Sequence, residues 1–244
     1  MPVIQANKIS YHFDNGEVLF SDISCSLTQS KVGLVGRNGV GKSILASILT
    51  KALCPTQGEV ALNAIVKTYT QLPSELLDGN ITVAQYLGVE SVLRALAKIE
   101  QGDCDEKWFE IVGEQWSLKQ ELETQLGEMQ LPRNTDFLCS ELSGGQLARL
   151  QLWQLFQSDA QLLVLDEPSN HLDKQGREWL REQMNAFTGH IVLISHDRFL
   201  LREMEQIWEL STLGLAQYGG NYDDYRGQKD LEVTAVERQL DSVH

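Results

Sequence analysis

The sequence has little of what would take it out of the ordinary aqueous globular class. Only four cysteines occur in 244 residues, Cys25, Cys54, Cys104 and Cys139, and no two stand at CxxC spacing. That argues against a disulfide framework or a thiolate metal site and for reduced structural thiols in a cytoplasmic protein. No apolar run approaches the roughly 18 residues of a membrane helix, so no membrane insertion is expected. The opening MPVIQANKISYHF is too short and too polar for a secretory signal. Positive charge is also scarce: 20 Lys and Arg face 34 Asp and Glu, for a net charge of −14. The deficit is uneven. Residues 1–70 carry 6 basic against 4 acidic residues, residues 71–142 carry 5 against 14, and residues 143–244 carry 9 against 16. A surface this acidic repels phosphate backbones at long range. A nucleic-acid role would need a local basic patch or a part of the protein beyond this chain.

What is present is an ordinary core-forming composition, 42% hydrophobic and 22% charged, enough for one domain or a domain with a subdomain. The first 30 residues alternate apolar and polar positions, as in VIQANKISYHF and DISCSLT, and predict antiparallel strands with a turn at Asp14-Asn15-Gly16. KVGLVG predicts a short buried strand, followed by a glycine turn and a helix over 41–51 that Cys54-Pro55 closes. GEVALNAIVKTYTQL reads as further strand. From Pro73 to about Leu138 the character is acidic amphipathic helix, as in VESVLRALAKIE. QLLVLDE and HIVLISH are the short apolar runs of buried parallel strands, with helical segments between and after them. Buried strands alternating with helices predict an α/β core with a parallel sheet. The helical stretch, about 73–158, would be inserted into a domain spanning 1–227. Residues 228–244, charged and helix-prone with little to pack against, read as the start of a linker helix.

The chemistry begins at GRNGVGKS. It fits G-x-x-x-x-G-K-[ST] at Gly36, Gly41, Lys42 and Ser43. Glycines let the backbone turn tightly, so that amides along Gly36, Arg37, Asn38, Gly39, Val40, Gly41, Lys42 and Ser43 point at phosphate oxygens. The helix N-terminus that follows adds its partial positive charge. Lys42 can reach β- and γ-phosphates, and the Ser43 hydroxyl can ligate Mg²⁺. The turn is therefore built to hold a nucleoside triphosphate.

Downstream, LLVLDEP puts two acids at the end of a buried strand. Asp166 would hold Mg²⁺ directly or through water, and Glu167 can polarise an attacking water as general base. HIVLISHD ends in Ser195-His196-Asp197 in the same way. His196 could contact the γ-phosphate and orient Glu167 and the water, although a lone strand-end histidine is more often a satisfied surface group. Gln71, after VKTYT, is a weaker candidate for touching Mg²⁺ or that water. A second glycine turn, LSGGQ from Leu142, enters another helix and makes a second anion-binding helix start. One γ-phosphate does not need two such sites, so the economical reading is that the second serves a nucleotide on another domain.

In order, GRNGVGKS, Gln71, LSGGQ, LLVLDEP, HLD ending at Asp173, and His196 resemble the ATP-binding cassette ATPases over nearly the whole chain. The resemblance implies a P-loop ATP-binding cassette fold with an N-terminal antiparallel β subdomain and an inserted helical subdomain. It implies ATP hydrolysis with Mg²⁺, and head-to-tail pairing with a second cassette, so that an isolated cassette would turn over weakly. Ser143, Gly144, Gly145 and Gln146 would contact the partner's ATP, and Asp173 would lie at the seam. An aromatic near the N-terminus would stack on adenine, Phe13 by its spacing to DIS or else Tyr11. DEPSNHLD resembles the DEPTNHLD form of the ATP-binding cassette F proteins, and YGGNYDDYRGQKD resembles the close of their first cassette. That subfamily lacks membrane spans, carries two cassettes on one chain, and has ribosome-binding members that act on translation or displace antibiotics. An ATPase subunit of a transporter and a non-hydrolysing nucleotide-dependent docking module are the alternatives. Two departures stand out. The interval between Gln71 and LSGGQ has room only for the usual helical subdomain and is acidic, so no basic RNA-reading arm is visible; position 44 is Ile where a small polar residue is frequent.

Overall fold

A computed structural model describes residues 1–70 and 72–241. They form two compact units. The larger comprises residues 1–70 and 155–241, and the other runs to Gln154 from residue 72.

In the larger unit, β1 (Ile4–His12) and β2 (Val18–Leu27) form the antiparallel hairpin that alternation predicts, with register Ile4 to Leu27 and His12 to Val18. β4 (Gln57–Leu62) pairs with the other side of β1. The second sheet has the order β5-β6-β7-β3-β8-β9, built from β3 (Lys31–Gly36), β5 (Val66–Tyr69), β6 (Leu162–Asp166), β7 (His190–Ile194), β8 (Gln206–Ser211) and β9 (Gly214–Gly219). All neighbours are parallel except β8 and β9. β3, β6 and β7 are buried along almost their whole length, the pattern of strands covered on both faces. Helix α1 (Lys42–Leu49) touches β1 and β4 of the first sheet and β3 of the second. Its Leu45, Ile48 and Leu49 share one core with Ile4, Ile9, Ile23 and Leu27 on one side and Leu34, Val164, Val192 and Trp208 on the other. Fully burying each such side chain contributes about 1.5–3 kcal/mol, and this core fixes where α1, and with it the glycine turn, must lie.

The other unit is helical: α2 (Ser74–Asp78), α3 (Val83–Tyr86), α4 (Glu90–Glu100), α5 (Glu106–Val112), α6 (Leu118–Glu128) and most of α7 (Gly144–Phe156). Thr82 caps α3 in a reciprocal box with Gln85. Val92, Ala95, Leu96 and Val112 form a small core between α4 and α5.

Three sequence expectations are corrected. GEVALNAIVKTYTQL is two strands, not one. The chain breaks at Asn63, and β4 and β5 join different sheets, because a continuous apolar-polar run does not encode which sheet pairs with it. The segment after HIVLISH is not wholly helical. Beyond the short α9 (Arg198–Leu201) it forms the β8–β9 hairpin, with Thr212 and Leu213 at the turn and Gly214, at φ +114°, opening β9. The closing helix also differs: α10 (Tyr222–Asp241) begins before position 228 and its first half is tied down. Tyr225 is buried, Lys229 bridges to Glu209 at 2.8 Å, and Tyr218 donates its hydroxyl hydrogen bond to Glu232. Further along, Leu231, Val233 and Val236 are exposed. Cys25 and Cys139 are buried structural thiols as expected, whereas Cys54 and Cys104 lie exposed. Among the described residues no helix is long and apolar enough to cross a membrane.

Candidate functional site

The carboxyl ends of β3, β6 and β7 lie side by side, with Asp166 paired to Ile194 and Leu34 to Ile194 across the ladders. This is the edge at which open parallel sheets bind ligands. β3 delivers the glycine turn, β6 delivers Asp166 and Glu167, and β7 delivers His196. A cavity of about 390 Å³ opens there, lined by Phe13, Leu19, Asn38, Gly39, Gly41, Lys42, Ser43, Ile44, Asp166, Glu167 and Ile194.

Gly41 is the N-cap of α1 and lies in the left-handed region at φ +104°. A Cβ there would meet Leu19 Cδ2 at 2.7 Å. The position therefore requires glycine both for its backbone angle and for close packing of the loop on β2. Lys42 opens the helix. Its ammonium donates to the carbonyls of Gly36 at 2.9 Å and Arg37 at 3.0 Å. Burial lowers its pKa, and the carboxylates of Glu167 and Asp166 oppose that shift. Ser43 Oγ donates to Asp166 Oδ2 at 2.5 Å.

Glu167 has φ +48° and its amide donates to the Ile194 carbonyl at 2.8 Å, so the turn after β6 is locked onto β7. Burial raises the Glu167 pKa above its ordinary 4.5, with His196 and Lys42 pulling it partly back. His196 Nε2 lies 2.9 Å from Asn38 Oδ1 and 3.4 Å from Glu167 Oε1. Two oxygens facing one ring nitrogen put the proton on Nε2. His196 thus bridges the glycine turn and the carboxylate, which the sequence alone left open against a plain surface role.

Phe13 is 38% exposed at the cavity, whereas Tyr11 packs edge-on to Phe13 and leans on the core. Of the two aromatics, only Phe13 lines the cavity. Arg37 and Val40 shape the turn, the Val40 amide donating to the Arg37 carbonyl. Asp173 caps α8 (Lys174–Ala186), its Oδ1 accepting from the Gly176 amide at 2.7 Å. Gln71 lies outside the described residues. Sequence reasoning missed Leu19 and Ile44 as lining groups. Leu19 is an unremarkable strand residue in the sequence, and only its meeting with Gly41 gives it a part.

In the helical unit, LSGGQ starts α7. Ser143 Oγ accepts from the Gln146 amide at 3.2 Å, and Gln146 Oε1 accepts from the Ser143 amide at 2.9 Å. This is a capping box, and Gln146 Nε2 also donates to the Gln130 carbonyl at 3.0 Å. Gly144 and Gly145 form the first turn of that helix.

The donor set fits a hard cation beside a phosphate. Ser43 and Asp166 offer a hydroxyl and a carboxylate in contact, the pairing Mg²⁺ takes when phosphates and water complete its shell. Among the described residues no cluster of three His, Cys, Asp or Glu could hold a metal without such help.

The family model described as "ABC transporter" matches residues 20–170. ABC transporter F family member 4 of Arabidopsis thaliana is 30% identical over 245 residues, covering 96% of this chain and 31% of its own length. Ribosome protection protein VmlR of Bacillus subtilis (strain 168) is 27% identical over 241 residues, covering 98% of this chain and 37% of its own. A solved chain described as "Structure of ATP binding subunit of ABC transporter" superposes with a TM-score of 0.70 at 19% identity, covering 96% of this chain and 98% of that one. The chain spans about a third of the length of the curated relatives it matches. Cradle, paired carboxylates and histidine on one sheet edge agree with these likenesses: the chain belongs to the ATP-binding cassette family and resembles the nucleotide-binding domains of its F subfamily.

Proposed function

We propose that this chain binds and hydrolyses ATP as one cassette of a two-cassette clamp, and that the protein carrying it is cytoplasmic and acts on the ribosome, in translation or in protection from antibiotics. The convergence of Lys42, Ser43, Asp166, Glu167 and His196 on one cavity carries the catalytic part. The loop from Gly36 to Ser43 would cradle the triphosphate, and Phe13 would stack on the base. Ser43, Asp166 and Gln71 would hold Mg²⁺, which when bound offsets phosphate charge. Glu167 takes a proton from the attacking water, and His196 fixes the carboxylate through Nε2. Ser143, Gly144, Gly145 and Gln146 would serve the nucleotide of the second cassette, on the same chain or a second copy, with Asp173 at the seam. Binding then closes the pair and hydrolysis reopens it. The helical unit from about 73 to 158 belongs to the cassette, and residues 228–244 would lead into a linker.

SNHLD and likeness to F-subfamily members support the ribosomal part, one relative being named a ribosome protection protein. The test is sedimentation of the protein carrying Glu167→Gln, with the equivalent change in its second cassette, from lysate through a sucrose cushion. ATP-dependent pelleting with ribosomes is the expected result. ATP-dependent recovery with membranes instead would replace the clamp by a transporter subunit, and wild-type turnover in Glu167→Gln would overturn the assignment of the base.

A further inference from the structure

His196 leaves β7 on a short turn, and the next residue, Asp197, is held by three contacts. Its amide donates to Ser195 Oγ at 2.9 Å, and Ser195 is fully buried. Its Oδ1 accepts from the Phe199 amide at 3.0 Å, capping α9. Its Oδ2 lies 3.3 Å from Arg177 Nη1, and the Asp197 side chain is only 12% exposed. One turn further along α8, the Arg181 guanidinium sits 4.9 Å above the Phe199 ring. Arg177 and Arg181 therefore clamp the histidine turn to α8 at two points. The same helix begins at Asp173, whose side chain and carbonyl take the amides of Gly176 and Arg177.

We propose that Arg177 is a positioning residue. Through Asp197 it ties the aim of His196 to the Asp173 turn, so that a shift of that turn reaches the histidine as a movement of one rigid helix start. The inference rests on the hydrolytic reading of Glu167 and His196. An exposed ion pair would contribute little, but this one is mostly enclosed on the carboxylate side and stands beside the residue that orients the base. A displacement of about 1 Å at such a place costs on the order of a hundredfold in rate.

The test is a mutant cycle on ATP turnover in the protein carrying this chain, using Arg177→Met, Arg177→Lys, His196→Gln and the double variant, with Tm measured for each. Asp197→Asn is a second probe that keeps the α9 cap and removes the charge, should Arg177→Met fail to fold. Arg177→Met is expected to lower kcat at least tenfold with KM unchanged, and Arg177→Lys to restore most of it. In the His196→Gln background Arg177→Met should cost less than twofold more. Losses that multiply, or a fall in rate that merely follows Tm, would show a structural role and overturn the inference. Full activity in His196→Gln would instead overturn the reading of the histidine on which the proposal stands.

Discussion

Glu167 concentrates the site's electrostatics in one side chain. Burial holds its pKa above the ordinary 4.5, and the charges of His196 and Lys42 limit the rise. A general base works ionised, so turnover should climb as pH rises through the elevated pKa, giving an acidic limb displaced upward from that of a free carboxylate. The stability consequence has the opposite sign. Because the folded carboxyl holds its proton to higher pH than the unfolded one, the native state binds more protons between the two pKa values and loses stability as pH rises across them. Glu167→Gln removes that loss. Thermal unfolding should find the variant at least as stable as wild type at pH 7, with the difference shrinking toward pH 4. A variant less stable at pH 7 than at pH 4, relative to wild type, would contradict the assignment.

At the level of elements, the proposed function assigns the anion chemistry to two helix starts, and each makes a specific demand. α1 needs Gly41. Gly41→Ala introduces both a left-handed non-glycine and a contact of 2.7 Å with Leu19. It should destabilise by more than about 1 kcal/mol and weaken binding of a fluorescent ATP analogue. Adding Leu19→Ala relieves the contact but not the backbone angle, so calorimetry should show only partial recovery. α7 needs its capping box. Ser143→Ala should cost about 1 kcal/mol in denaturant unfolding, because it removes the acceptor for the Gln146 amide. The same serine is assigned to a second cassette's nucleotide, so Ser143→Thr, which keeps the cap, separates the helix-start effect from any effect on turnover.

For the molecule as a whole, the proposed split of the chemistry between a cradle and a helix start that would serve another cassette would leave one copy without a complete site. Isolated chain should therefore hydrolyse ATP slowly, with specific activity rising with protein concentration. Brisk turnover independent of concentration would mean that the cavity at the ends of β3, β6 and β7 suffices alone. Charge acts at this scale too. The acidic excess of residues 71–142 makes the helical unit a poor match for a phosphate backbone and a better one for basic protein surface.

The sequence by itself determined the parts whose chemistry is local. A tight phosphate turn requires glycines beside a lysine and a hydroxyl, a buried parallel strand requires an unbroken apolar run, and acids at its end follow the run, so Gly36 to Ser43, Asp166 and Glu167 could be found by spacing, whereas His196 stayed open between a catalytic and a surface role. Tertiary structure decided what depends on pairing between distant segments. Strand propensity does not say which strands become neighbours, so the split of β4 and β5 between two sheets and the β8–β9 hairpin were not legible. Nor could spacing show that His196 meets Asn38 and Glu167, that Leu19 closes on Gly41, or that Arg177 reaches Asp197. Those contacts join residues far apart in the chain, and packing of α1 between two sheets and of β7 between β6 and β3 is what brings them within bonding distance.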